Sequence, residues 1–284
     1  MSSEIKQSIE LKVIEALTSL NSSKNLVANI TNTVSQSLVA NVELALGASP
    51  IMFYMPDEAR EFVSIANSAY INLGTVIPIY EQTIPAMLVA LKDKKLPWVL
   101  DPVAVGFGEL RNKLFNQMLE TKIFPSVIRG NASEIIALAN LWRVTSNKLQ
   151  RALGTDTLNS TQEAENSAVL LAQCINGIVA VSGEVDFVTD GQNAFYLQGG
   201  SDVMEKITGM GCSLGGAIAS FLTVTSPLYA ALSASILYKI AGKISFKASQ
   251  GIGDFAQNFI NSLNKITETQ ILENKVLTNK NLSV

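Results

Sequence analysis

The chain has 284 residues, no histidine, and a net charge of −3 from 21 Lys and Arg against 24 Asp and Glu. The absence of histidine excludes histidine-dependent triads, histidine metal ligands and histidine pH switches, and weak acidity without a basic stripe argues against nucleic acid as a partner. Charged residues make up only 16% of the chain, against roughly 25% in typical soluble domains. Three explanations are open: a membrane protein, a large core, or an oligomer that buries surface between subunits.

The N-terminal residues 1–24 are predicted to form an amphipathic helix. Charged residues recur through MSSEIKQSIELKVIEAL, which argues against a signal peptide. The two cysteines, Cys174 and Cys212, give no disulfide framework, so a reducing, cytoplasmic location is expected.

Short apolar runs alternate with helical patterns further along the chain. Four runs are almost continuously apolar and end in polar or glycine residues, as strands buried on both faces of a parallel sheet do. These predicted strands cover residues 70–73, 98–100, 126–128 and 178–181. Helical patterns lie near 56–68, 80–93, 109–121, 133–142 and 160–176. The alternation predicts an α/β fold, with a mostly parallel sheet and helices on both faces.

A hairpin at one sheet edge is predicted from residues 186–190 and 194–197, which flank a turn sequence, DGQN. The chain shows no internal repeat and no linker, so one domain is predicted over residues 1–284. Its end, about 268–284, resembles a frayed helical tail.

The stretch from Ile207 to Tyr238 carries no charge and raises the question of a membrane span, which needs about 20 apolar residues. Glycines open the stretch and Ser226-Pro227, a typical helix start, divides it. Two helices are predicted, near 212–224 and 227–241, with Gly242 closing the second. Both are too short to span a bilayer, so the low charge indicates small-residue helices packed on a sheet, together with a subunit interface.

Polar residues end the predicted strands, where ligands of open parallel sheets bind. Asp101 follows a buried run, where a carboxylate is costly unless it meets a cation, although a turn or helix N-cap aspartate is an equal alternative. Arg129 is suited to phosphate but also to pairing with a nearby acid. Ser133 and Glu134 are consistent with an N-cap and a first-turn acid as well as with a site.

The strongest local signal is the sequence ITGMGCSLGG, residues 207–216. A glycine-rich turn that leads into an uncharged helix presents backbone N–H groups and a positive dipole end, which suit a phosphoryl group in transfer. The alternative is that these glycines let helices pack closely. Cys212, at the start of that helix, is expected to have a lowered pKa.

Seven segments together resemble the hydroxyethylthiazole kinase family, which belongs to the ribokinase-like superfamily and acts in thiamine salvage. The segments are NITN, ALGASPIM, INLGT, DPV, VIRGNASEI, VSGEVD and ITGMGC. They follow the family's order over about residues 25–225. The segments ALGASPIM and VIRGNASEI together are highly specific for this family.

The resemblance implies a kinase that uses ATP and Mg²⁺ to phosphorylate the primary alcohol of 4-methyl-5-(2-hydroxyethyl)thiazole, as a trimer with active sites between subunits. Carried over by motif, the substrate-binding residues are Met52, Gly209 and Asn29. The ATP-binding residues are Arg129, Ser182 and Asn131. The magnesium ligands are Asp101 and Glu134. The catalytic residues are Cys212, Gly209 and Gly211, with Cys212 at the position where ribokinase relatives have an aspartate base.

Several residues depart from the family pattern. Ala28 stands in place of a histidine, Met210 in place of threonine, and Ser182 in place of the commoner threonine. Phe107 replaces a small residue, and the segment FYMP after Met52 is bulkier than expected. These changes favour an altered pocket over altered chemistry, and Ala28 is the first position at which to expect altered specificity.

Three alternatives remain open. One is a kinase of another small alcohol, such as a hydroxymethylpyrimidine, and another is a nucleotide-binding protein whose catalysis has faded. The third is a lyase or repair enzyme on the same fold. Retention of Asp101, Arg129, Glu134 and Cys212 argues against loss of catalysis.

Overall fold

The computed structural model describes residues 3–144 and 160–277. Its eight strands form one sheet in the order β2-β1-β3-β4-β5-β6-β7-β8. Their bounds are β1 Asn25–Ile30, β2 Ala48–Met52, β3 Ser68–Asn72, β4 Trp98–Asp101, β5 Val127–Asn131, β6 Ile178–Ser182, β7 Val185–Thr189 and β8 Ala194–Gln198. The first six strands run parallel, and β7 and β8 form the predicted antiparallel hairpin at one edge. The α/β prediction is therefore confirmed.

Helices pack against both faces of this sheet. On one face lie α1 Ser3–Ser22, α2 Gln36–Ala45, α8 Met210–Leu222, α9 Pro227–Ala248, α10 Ile252–Asn264 and α11 Glu268–Leu272. On the other lie α3 Pro56–Ile65, α4 Tyr80–Lys94, α5 Glu109–Thr121, α6 Ala132–Leu141 and α7 Ser160–Ile175. A short 3₁₀ helix, Asp202–Lys206, precedes α8. Each face of the sheet has its own hydrophobic core. Side chains alternate between the two faces along each strand, so Val27 packs in one core and its neighbour Ala28 packs in the other.

The predicted strands and helices agree with this structure to within a few residues at their ends, but β1, β2, α2 and α10 were not predicted from the apolar pattern. β1 contains the polar residues Asn25 and Asn29, and β2 contains Ser49 and Pro50. These interrupt the continuous apolar run that marks a buried strand. Pro50 is tolerated because β2 is an edge strand, where one side of the backbone has no partner strand.

The prediction that Gly242 ends a helix is wrong, because α9 continues to Ala248. Gly242 is buried inside the helix, where the 3₁₀ segment crosses it. A Cβ atom there would lie 3.2 Å from the Gly200 Cα and closer still to the Met204 sulfur. The glycine therefore provides a close crossing, not a helix end.

The prediction of a frayed tail is wrong for the part of the tail that the structure describes. Ile271, Val276 and Leu277 are buried, and Leu277 bridges Leu197 of the outermost strand, β8. This contact covers a strand edge that would otherwise expose unpaired backbone groups. Residues 278–284 lie outside the described residues. Within the described ranges, no helix is both long and apolar enough to cross a bilayer.

Candidate active site

The candidate site is a cavity of about 880 Å³ at the carboxyl ends of the central strands. Arg129 and Asn131 from β5 and Ser182 from β6 line it, and Gly211 at the start of α8 closes one side. Its size lies in the range that holds a small ligand or cofactor. The location matches the general rule that parallel sheets bind ligands beyond the carboxyl ends of their strands.

Asp101 ends β4 and is wholly buried; it does not line the cavity itself but contacts Arg129, which does. Its Oδ2 atom lies 2.9 Å from the Tyr70 hydroxyl and accepts a hydrogen bond from Asn72 Nδ2 at 2.8 Å. Its Oδ1 atom has no hydrogen-bond partner within the described part of the chain. Burial raises the pKa of Asp101, while Arg129 and these hydrogen bonds act in the opposite direction. Asp101 does not cap a helix, since α5 begins after Gly108.

Arg129 connects the two sides of the site. Its Nη1 atom lies 3.4 Å from Asp101 Oδ2, and its Nη2 atom donates to Ser182 Oγ at 2.5 Å. The first turn of α8 packs directly on this guanidinium, because a Cβ atom at Gly211 would lie 2.8 Å from Nη2. Arg129 therefore fits both interpretations of the sequence: it forms an ion pair with a nearby acid, and it places a cation in the wall of the cavity.

Glu134 lies in the first turn of α6 and forms a capping box with Asn131. Asn131 is the N-cap, so the interpretation of Ser133 as N-cap is wrong. Burial, and then the charge of Asp101, raise the pKa of Glu134. The described residues contain no cluster of three or more metal-ligating groups. Two carboxylates still fit Mg²⁺, which commonly takes one or two of them and completes its shell with water and substrate phosphates.

Cys212 does not have the lowered pKa that its helix position predicts. Burial, and then the charge of Asp101, raise the pKa of its thiol above the ordinary value. Its sulfur accepts a hydrogen bond from Asn32 Nδ2 at 3.3 Å, and the Tyr70 hydroxyl lies 2.7 Å from its carbonyl oxygen. Desolvation thus outweighs the hydrogen bonds from Ser35 and Asn32 and the charge of Arg129, which lower the pKa of the thiol, and the group is a neutral thiol at neutral pH.

Gly209, the N-cap of α8, has a left-handed backbone with φ of +84°. A Cβ atom at this position would lie 2.7 Å from that of Ser35. Both the backbone conformation and the contact require glycine, which allows α8 to start directly against the segment before α2.

Asn29 and Met52 lie opposite each other in the pairing of β1 with β2. Met52 is half-buried at the end of the edge strand and is not among the residues that line the cavity. Asn29 is wholly buried, and its Nδ2 atom donates to the Val27 carbonyl and to Glu43. Its Oδ1 atom has no hydrogen-bond partner among the described residues, so the substrate contact of Asn29 stays a prediction.

The positions that depart from the family pattern lie in different environments. Ala28 is buried in the apolar core on the opposite face of β1 from Asn29 and does not line the cavity. Met210 lines the cavity beside Gly211. Phe107 is 73% exposed on the loop that follows Asp101. Met210, and Ser182 in place of the commoner threonine, therefore line the cavity, whereas Ala28 and Phe107 do not.

Glu43 is a buried acid that the sequence did not single out. It is fully buried on α2, its Oε2 atom accepts from Asn29 Nδ2 at 3.1 Å, and Oε1 has no partner among the described residues. Burial raises its pKa well above the ordinary value of 4.5. The folded carboxyl therefore stays protonated at a pH where the unfolded one ionises.

We expect Glu43→Gln to become progressively more stable than the parent protein as the pH rises from 5 to 8. Above the pKa that Glu43 has in the unfolded chain, the folded protein keeps the Glu43 proton and the unfolded chain loses it. The unfolding free energy of the parent protein therefore falls as the pH rises, whereas glutamine has no proton to lose and shows no such fall. The difference in unfolding free energy should grow by up to about 1.4 kcal/mol per pH unit. Urea unfolding of both proteins at several pH values measures it, and a constant difference would contradict the protonated state.

Residues 17–269 match the family described as "HK: Hydroxyethylthiazole kinase family". A relative named hydroxyethylthiazole kinase from Leptospira interrogans serogroup Icterohaemorrhagiae serovar Lai is 44% identical, over 90% of this chain and 94% of that protein. The chain belongs to the hydroxyethylthiazole kinase family. Another member, from Bifidobacterium longum subsp. infantis, is 38% identical over 93% of this chain and 90% of that protein. The resemblance inferred from the motifs is confirmed.

Solved structures agree with this membership. The hydroxyethylthiazole kinase from Pyrococcus horikoshii OT3 has a TM-score of 0.82 at 31% identity, covering 95% of this chain and 98% of that chain. The pyridoxal kinase from Staphylococcus aureus has a TM-score of 0.58 at 16% identity, covering 78% and 89%. A ribokinase-like superfamily protein from Enterococcus faecalis V583 has a TM-score of 0.57 at 16% identity, covering 85% and 87%. These two likenesses show a shared fold, and the ribokinase-like architecture is confirmed.

Three polar residues around Asp101 and Cys212 were not predicted as site residues of this hydroxyethylthiazole kinase family member. They are Tyr70, Asn72 and Asn32. Tyr70 lies within an apolar strand, and its sequence context gives no sign that its hydroxyl reaches a carboxylate. Asn72 ends β3 beside Asp101 in the pairing of the two strands, so its strand-end position was the available signal.

Proposed function

We propose that this protein catalyses ATP-dependent phosphorylation of the primary alcohol of 4-methyl-5-(2-hydroxyethyl)thiazole. The observation that carries the proposal is Arg129, which bonds both Asp101 and Ser182 beneath Gly211 in a protein of this family. One cation thereby touches the buried acid, the strand-end hydroxyl and the first turn of α8. Phosphoryl transfer depends mainly on such positioning and on electrostatic stabilisation.

The phosphates of ATP would occupy the cavity between Arg129, Asn131 and Ser182. The guanidinium supplies positive charge with planar N–H donors, which match phosphate oxygens. In the first turn of α8, the Met210 N–H donates to the Ile207 carbonyl at 3.2 Å. The N–H groups of Gly209, Gly211 and Cys212 have no carbonyl of their own helix to bond and lie at its positive dipole end. They would stabilise the charge on the transferring phosphoryl group.

Asp101 and Glu134 would hold Mg²⁺, which when bound neutralises phosphate charge. Hard carboxylate oxygens suit this ion, and the Asp101 Oδ1 atom carries no other bond within the described residues. Tyr70 and Asn72 fix the opposite oxygen of the same carboxylate. These two residues therefore hold the orientation of Asp101 relative to the cavity.

The alcohol would lie near Met52 and Gly209, with its hydroxyl toward Cys212.

We further propose a trimer that places active sites between subunits, in the cytoplasm. β2 is an edge strand, and exposed apolar side chains lie on the segments around it at Val34, Leu44 and Met55. Exposed apolar surface of this kind suits a subunit interface.

A coupled assay of ADP release tests the proposed reaction. Purified protein with ATP and Mg²⁺ would be given hydroxyethylthiazole, a hydroxymethylpyrimidine, pyridoxal and a sugar alcohol at equal concentrations. We expect turnover with the thiazole to exceed that with the other alcohols. Turnover only with another alcohol would overturn the substrate and keep the kinase, whereas no turnover with any of them would overturn the activity.

Replacing Cys212 by Ser should lower kcat by less than about 100-fold, the lower end of the contribution of a general base. Because burial raises the pKa of the Cys212 thiol, we expect this residue to orient the alcohol, not to remove its proton as a thiolate. Serine keeps a polar group that the Asn32 amide can bond. Rates of both proteins from pH 6 to 9 measure this, and a rate that follows thiol ionisation in the parent alone would contradict the orienting role.

A further inference from the structure

Lys239 is a buried cation in the wall of the cavity. It lies on α9 with only 6% of its surface exposed, and it lines the cavity together with Asp186. Its Nζ atom lies 2.9 Å from Asp186 Oδ1 and donates to the Gly183 carbonyl at 2.9 Å and the Glu184 carbonyl at 3.3 Å. The Gly183 N–H in turn donates to Asp186 Oδ1 at 2.9 Å. The ion pair therefore holds the turn between β6 and β7.

The stem of Lys239 packs against a second segment of the cavity wall. A Cβ atom at Gly200 would lie 3.3 Å from the Lys239 Cδ, and one at Gly199 would lie 3.5 Å from its Cβ. These glycines follow β8 and lead into the cavity-lining residues Ser201 and Asp202. One side chain thus contacts both the turn after Ser182 and the segment after β8.

We propose that Lys239 is a positioning residue for nucleotide binding, which joins these two segments into one rigid wall of the cavity. This inference rests on the proposed function, because it assumes that the cavity holds ATP. The role is indirect: Lys239 fixes the backbone that follows Ser182, and Ser182 in turn accepts the hydrogen bond of Arg129.

The ammonium has no N–H left for a phosphate group. Lysine carries three N–H donors, and Asp186, Gly183 and Glu184 provide three acceptors. The charge of Asp186 also balances that of Lys239 within the same wall. A direct phosphate ligand would need a free donor and an uncompensated charge, and Arg129 is the residue whose Nε atom has no partner among the described residues.

The test compares nucleotide binding by the full-length protein and by Lys239→Met, with ADP and adenylyl imidodiphosphate as probes in calorimetry. We expect the Kd for both nucleotides to rise by about tenfold, the effect of a lost charged hydrogen bond, and by the same factor for each. The KM for ATP should rise in parallel while the KM for the alcohol stays unchanged. Lys243→Met is the matched control, because Lys243 lies one turn further along α9 and is exposed.

A double variant, Lys239→Met with Asp186→Asn, guards against misfolding, because the single change leaves a buried carboxylate without its cation. Weaker binding of both nucleotides by the folded double variant supports the role. Parent-like Kd values in either variant would overturn it, and so would a larger loss for adenylyl imidodiphosphate than for ADP, which indicates direct phosphate contact. If the parent protein binds neither nucleotide, the proposed function fails instead, so the two failures are distinguishable.

Discussion

Asp101→Asn should lower kcat by at least about 10³-fold while leaving the protein folded. Asparagine keeps the shape of the side chain, and its amide oxygen can still meet the Tyr70 hydroxyl and the Asn72 amide that bond Asp101 Oδ2. The substitution removes the negative charge and replaces the unpartnered Oδ1 atom, the one available to a cation. It also leaves the buried Arg129 guanidinium without its anion, so the loss of activity is measured on protein shown to be folded. Steady-state kinetics with saturating ATP and alcohol measure the loss.

Asp93→Asn provides the control for this change, because Asp93 is an exposed residue of α4 that does not line the cavity. Its kcat should equal that of the parent protein. Far-UV circular dichroism and the melting temperature report whether Asp101→Asn is folded. Parent-like turnover by folded Asp101→Asn would remove the assigned role from this carboxylate.

Strands β3 to β6 and most helices were predictable, because each of these strands is a short apolar run and the apolar residues of these helices recur at the helical period. The location of the site was also predictable, because parallel strands bring their carboxyl ends to one edge of the sheet. Asp101 and Ser182 end β4 and β6, Arg129 lies two residues before the end of β5, and the three side chains meet in the structure. Their convergence follows from the strand order, in which β4, β5 and β6 are neighbours.

The features that the sequence did not predict depend on contacts between distant segments. Whether Gly242 ends a helix or permits a crossing depends on Met204, which lies on another element. The direction of the Cys212 pKa shift depends on burial and on Asp101, neither of which a helix start reveals. Lys239 is surrounded in sequence by apolar residues, and only the fold brings its amine to Asp186. The local sequence pattern predicts where helices and strands form. The helix crossing, the pKa shift and the buried ion pair depend instead on how those helices and strands pack.

Gly215→Ala should destabilise the protein by about 3 kcal/mol, the upper end for an overpacked core. A Cβ atom at this position would lie within 2.7 Å of the Tyr70 Cζ and Oη atoms. Tyr70 is wholly buried, and its hydroxyl lies 2.9 Å from Asp101 Oδ2 and 2.7 Å from the Cys212 carbonyl oxygen. The ring therefore cannot move without breaking these contacts. Urea unfolding measures the stability loss, and kcat should fall as well because Asp101 loses its support.

Gly253→Ala is the matched control, since Gly253 is also a helical glycine but has nothing within 4 Å of its Cβ position. Alanine is favoured over glycine in helices by about 1 kcal/mol, so this variant should be as stable as the parent or slightly more so. Gly215→Ala gains the same helix propensity, so the protein loses stability only if the free-energy cost of the clash with Tyr70 is larger than this gain. If both variants were equally stable, α8 would be able to move away from the sheet. The close packing of its first turns on Tyr70 would then not be what holds Asp101 in place.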